Sequence, residues 1–144
     1  MQKNIVACVT AQISCEKIIS AAMDLSKKLN CKLIVVTVQK AKEDAKIRAN
    51  SLKILNALSK ITGCNIDIVY GDNPKNALVS YIHKLSPQHI FIGNPDPNTS
   101  FYKEFISALP WPISVVNETT VYTIPASVTG DEILNFLRNN YLTV

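Results

Sequence analysis

Two groups of side chains in this sequence have the types that chemistry requires. The first is a set of soft donors and nucleophiles: Cys8, Cys15, Cys31, Cys64, His83 and His89. Metal binding by cysteine asks for paired ligands such as Cys-x-x-Cys, and these cysteines are scattered singly. Hydrolysis asks for a nucleophile with a base beside it, and neither histidine has a partner visible along the sequence. Cys15 falls in the first turn of a predicted helix, a position where a reactive thiol is one reading and an ordinary packed cysteine the favoured one. The other three read as small apolar groups in or just before strands. No catalytic constellation, metal site or cofactor is expected.

The second group is polar and belongs to two loops. Thr10, Gln12 and Ser14 follow the first apolar run, while Gly93, Asn94, Asn98, Thr99 and Ser100 follow the fourth. Hydroxyl and amide groups beside helix N-termini suit an anion or a nucleotide-like ligand. In open parallel sheets, ligands collect beyond the carboxyl ends of the strands. The same residue types are also ordinary caps and turn formers, and the sequence leaves both readings open.

Such loops need a scaffold, and the apolar pattern provides one. Residues 4–9 read as a strand covered on both faces, and 32–38 as a second strand rich in β-branched residues. Between them Ser14 is placed to cap a helix with Ile18, Ala22, Leu25 and Leu29 at helical spacing and Asn30 as its stop. A helix over 40–62 turns Ile47, Ile54, Leu55, Leu58 and Ile61 inward and ends at Gly63. After a third strand over 65–70, Asn73 as cap and Pro74 at the first helical position open a helix packed through Leu78, Tyr81, Ile82 and Leu85. Pro87 closes it.

A fourth strand over 88–92 and a helix over 100–109 with Phe101, Phe105 and Leu109 on one side follow. Pro110-Trp111-Pro112 then forces extended backbone into a fifth strand, 113–117. Regular alternation of this kind predicts an α/β fold with a five-stranded parallel sheet, open and doubly wound, with right-handed crossovers. Residues 1–118 are read as this domain and 119–144 as a C-terminal extension. Within the extension, 119–124 suits one more strand, and Thr129-Gly130-Asp131-Glu132 is a capping-box start for a helix carrying Ile133, Leu134, Phe136 and Leu137. So apolar a tail packs on the domain or on a partner chain.

Composition limits the function classes. With 144 residues, 47% of them apolar, the chain can bury one real core. The net charge of +4 is concentrated at Lys40, Lys42, Lys46, Arg48, Lys53 and Lys60, with no aromatic residue interleaved. That pattern reads as a solvated helix face and not as a nucleic-acid surface. The longest apolar runs have strand length, so no membrane helix is expected. Met1-Gln2-Lys3-Asn4 leads straight into a strand, and the expected location is the cytoplasm.

Three stretches resemble the universal stress protein family, in particular the universal-stress-like domain of KdpD-type osmosensing sensor kinases. They are Asn4-Ile5-Val6-Ala7-Cys8-Val9 with the helix and strand through Val36, then Tyr70-Gly71-Asp72-Asn73-Pro74, and then His89 to Gly93 with Trp111-Pro112-Ile113-Ser114-Val115-Val116. The resemblance implies an adenine-nucleotide alpha-hydrolase-like sheet, a ligand site at the switch between strands one and four, and dimers formed through the last strand. ATP-binding members of the family share an acidic residue after the first strand and a loop after the fourth of the form Gly-x-x-Gly, a nine-residue spacer, then Gly and Ser or Thr.

Here Thr10-Ala11 replaces the acid, Asp96 stands at the second loop glycine, and no glycine occurs between Gly93 and Gly130. Glycine lets backbone amides approach a triphosphate. Pro95 and Pro97 have no amide hydrogen, and Asp96 repels phosphate. The resemblance therefore implies a non-catalytic regulatory module with a degenerate ATP loop, dimeric through residues 113–117 and the tail, acting in stress or osmotic signalling. Its alternative is a receptor for a nucleotide or cyclic dinucleotide. A phosphoacceptor receiver domain shares the topology but needs clustered acids where Thr10-Ala11 stands.

Overall fold

The computed structural model describes residues 3–93, 100–116 and 121–124. Apolar, β-branched runs form the strands, and amphipathic segments form the helices between them. In chain order these are β1 (Asn4–Cys8), a 3-10 turn (Ile13–Cys15), α1 (Glu16–Leu29), β2 (Lys32–Lys40), α2 (Ala45–Thr62), β3 (Ile66–Gly71) and α3 (Pro74–Leu85). They are followed by β4 (His89–Gly93), α4 (Ser100–Ser107), β5 (Ile113–Val116) and β6 (Val121–Ile124).

The sheet order is β3-β2-β1-β4-β5-β6. β1 to β5 are parallel, as the alternation predicts. Because a strand points successive side chains to opposite faces, the sheet builds two cores. Val6, Ile34, Val36, Ile90, Ile92, Ile113 and Val115 meet Ile82 of α3 and Phe105 and Ile106 of α4 on one face. Ile5, Ala7, Val35, Phe91 and Val116 meet Ile18, Ile19 and Ala22 of α1 and Leu58 of α2 on the other.

β6 is antiparallel to β5, with Ile113 opposite Ile124 and Val116 opposite Val121. This corrects one expectation directly. Both backbone edges of β5 are occupied, by β4 and by β6, so residues 113–116 offer no edge to a second chain. The helix expected from Thr129 lies outside the described residues.

Local signals set several boundaries. Asn30 and Gly63 adopt left-handed conformations that stop α1 and α2, at φ 53° and 71°. Asn73 accepts a hydrogen bond from the Asn76 amide at 3.2 Å, with Pro74 at the first helical position of α3. α2 starts at Ala45, later than expected, because the Asp44 carboxylate caps it, accepting from the amides of Lys46 at 2.9 Å and Ile47 at 3.3 Å. Residue 40 ends β2 and 41–44 form the connection.

Three positions of the expected apolar stripes lie in solvent. Ile47 and Ile61 are 53% and 57% exposed, and Leu29 at the end of α1 is 53% exposed. α2 docks through a narrow strip, with Leu55 and Leu58 buried. Its apolar stripe is wider than the surface that receives it.

Candidate functional site

α1, which follows β1, packs on one face of the sheet and α4, which follows β4, on the other, so the adjacent strands β1 and β4 form the topological switch point of the sheet. Thr10, Gln12 and Ser14 stand at the β1 end and Gly93 at the β4 end. The structure thus brings these four sequence-predicted residues to one edge of the sheet. Ser100 opens α4. Asn94, Asn98 and Thr99 lie outside the described residues.

Chain direction after β1 is held by backbone bonds. The Gln12 amide donates to the Thr10 carbonyl at 2.8 Å, and the Cys15 amide to the Gln12 carbonyl at 3.0 Å. Ser14 does not cap α1 as expected. It sits inside the 3-10 turn, with Gln12 and Cys15 at the two N-cap positions, and neither position has a side-chain cap. The side chains of Gln12 and Ser14 are therefore exposed and bonded to no described residue. The exposed Thr10 has its hydroxyl oxygen 3.6 Å from the thiol sulfur of the buried Cys15.

Gly93 has a packing role. A Cβ there would lie 3.0 Å from Cδ1 of Ile18, so the glycine lets α1 cross closely over the end of β4. Its absence of a side chain is explained without any phosphate.

The neighbouring connections use their polar groups internally. Arg48 donates to the Ala41 carbonyl at 2.8 Å and places its guanidinium 5.9 Å from the centre of the Tyr70 ring. Lys75 on α3 pairs with Glu104 on α4 and holds that carboxyl below its ordinary pKa.

The sequence offers no hint of what the histidines contact. His89 Nε2 lies 2.7 Å from the hydroxyl of Ser114, although the residues are 25 apart in the chain. The sheet register makes this pair, since Phe91 lies opposite Ser114. Ser114 is 3% exposed, too enclosed to attack a substrate, and burial lowers the His89 pKa. A serine beside a histidine serves here as a polar tie between two strands. His83 donates to the Ala108 carbonyl at 2.9 Å and meets Trp111 edge-on at 5.0 Å between ring centres.

Two more groups are held in their neutral forms. Burial pushes the Cys8 thiol up to about 12. Burial, followed by the hydrogen bond that Tyr81 donates to Asp67 at 2.8 Å, pushes the Tyr81 phenol up to about 12. Among the described residues no three His, Cys, Asp or Glu side chains gather as a metal site. None of the described helices is long and apolar enough to cross a membrane.

No protein-family model matches the chain, and no curated protein matches it. Solved structures do. A universal stress protein from Archaeoglobus fulgidus superposes with a TM-score of 0.65 at 14% identity, over 81% of this chain and 95% of that one. A universal stress protein in complex with cAMP gives 0.61 at 19% identity, over 81% and 98%. The Archaeoglobus fulgidus protein in complex with dAMP gives 0.58 at 13% identity, over 81% and 98%. At such identities the likeness defines the fold: an α/β sheet with flanking helices, of the universal stress protein type.

Proposed function

We propose that this chain is a non-catalytic regulatory module of the universal stress protein type, acting from the cytoplasm in stress or osmotic signalling, as in KdpD-type sensor kinases, with an ATP loop that no longer cradles a triphosphate. The observation that carries this reading is the exit from β4. Its one glycine, Gly93, is taken up by contact with Ile18, and the sequence beyond it offers Pro95, Asp96 and Pro97 where phosphate needs amide hydrogens. No acid, base and nucleophile converge at this edge among the described residues.

A second reading is favoured by the other loop. Thr10, Gln12 and Ser14 are exposed at the switch between β1 and β4, and two proteins of the same fold are known with cAMP and dAMP. In that reading the module is a receptor for a small nucleotide or a cyclic dinucleotide, held by hydroxyl and amide groups in place of a glycine loop. Thermal unfolding against ATP with magnesium, AMP and cyclic dinucleotides tests both. A ligand at 100 times its dissociation constant adds about 2.7 kcal/mol of stability. We expect no shift with ATP. A shift with AMP or a cyclic dinucleotide alone selects the receptor, and an ATP shift overturns the account of the loop.

The module pairs with a second copy through β6 and the rest of the C-terminal extension. β5 is enclosed, and on the outer side of β6 no described strand lies. Sedimentation giving the mass of one chain at micromolar concentration would count against this pairing.

A further inference from the structure

α2 carries a second stripe that the fold covers only in part. Ile47, Asn50, Ile54, Ala57 and Ile61 recur at alternating intervals of three and four, which places isoleucine at every a position of a heptad and Asn50 and Ala57 at d. The core is served by Leu55 and Leu58, to one side of this seam. Ile47 and Ile61 at its ends are more than half exposed. Asn50 is exposed too, and Ile54 and Ala57 are half-buried.

The flank of the seam is uniformly basic. Lys46, Lys53 and Lys60 each precede an isoleucine, at the g position of every heptad, and α2 contains no acidic residue. Among the described residues none of the three ammonium groups has an acidic partner, the ion pair there being Lys75 with Glu104.

We propose that this seam docks an acidic amphipathic helix of a partner protein, with apolar residues facing the three isoleucines and Asp or Glu facing Lys46, Lys53 and Lys60. A heptad spacing matches the ridge of another helix and not a flat surface. Ala57 is small enough for that helix to approach closely. Asn50 is the one polar side chain in the seam, and a lone polar residue in such a seam sets register at some cost in stability. The unpaired lysine row fixes the sign of the partner's charge.

A second α2 is a poor occupant. Antiparallel, it sets lysine row against lysine row, and parallel, it offers Ser51 and the buried Leu58 opposite the lysines. Exposed ion pairs add little affinity singly, so the isoleucines supply attraction and the lysines select the partner.

The test uses the full chain and two synthetic three-heptad peptides with Leu at a and d, save one Asn to face Asn50. One peptide carries Glu at e and g, the other Lys, so like charge keeps each from pairing with itself. Fluorescence anisotropy should show the Glu peptide binding at least about tenfold tighter than the Lys peptide. Simultaneous Lys46→Glu, Lys53→Glu and Lys60→Glu substitution should invert that preference. Simultaneous Ile47→Ser and Ile61→Ser should abolish binding of either peptide without moving the melting temperature. Equal affinity for the two peptides, or none for either, overturns the proposal. So does binding to phosphatidylserine vesicles in place of the Glu peptide, or self-association that Ile47→Ser and Ile61→Ser remove.

Discussion

The β3–α3 and β1–α1 connections leave the same edge of the sheet and are built differently. In the first, every notable residue supports the fold. A Cβ on Gly71 would lie 2.8 Å from the Ala77 Cβ, Asn73 caps α3, and Pro74 starts it. In the second, a 3-10 turn replaces the side-chain cap, and Gln12 and Ser14 have no described hydrogen-bond partner. Polar side chains engaged in capping are occupied and cannot serve recognition. Those at the β1 exit are free to do so, and they stand at the topological switch.

Three substitutions would break or sharpen this contrast. Gly71→Val should cost the most, about 2 kcal/mol in urea unfolding, because the Ala77 methyl cannot give way without moving α3. Asn73→Ala should cost about 1 kcal/mol by loss of a cap. Ser14→Ala should stay within about 0.5 kcal/mol. If Ser14→Ala cost as much as Asn73→Ala, the hydroxyl would be part of the fold and the contrast would fail.

The amino edge of the sheet offers a finer check, because His89 is a polar group already committed to Ser114. Its pKa in the folded chain is lowered by burial, so the folded state favours neutral imidazole. That contribution is present above the unfolded value of about 6.5 and is lost as the pH falls below it. Moving from about pH 7.5 to about pH 5.5 should lower the urea midpoint of the wild-type chain more than that of His89→Gln. An equal drop in both proteins would remove His89 as the cause.

Much of the frame was legible in the sequence. Strand–helix alternation fixed a parallel α/β sheet, and once the sheet is doubly wound Thr10 and Gly93 must share an edge. Asn30, Gly63 and Asn73 announced helix limits because caps act within a single turn. Asp44 carries the same kind of signal, and its cap sets the start of α2 at Ala45 and not at residue 40. Half of the candidate site was legible in the same sense: positions at strand ends follow from topology.

Tertiary structure decided what depends on segments far apart in the chain. An apolar stripe shows that a helix has an inward side but not how much of it the neighbours receive, so only packing left Ile47 and Ile61 in solvent. Register alone brought His89 to Ser114. Gly93 matches the first glycine of a phosphate loop in sequence, and only packing sets Ile18 close against it. The direction of β6, which closes the edge of β5, depends on pairing across the sheet, a long-range choice that residues 121–124 do not encode by themselves.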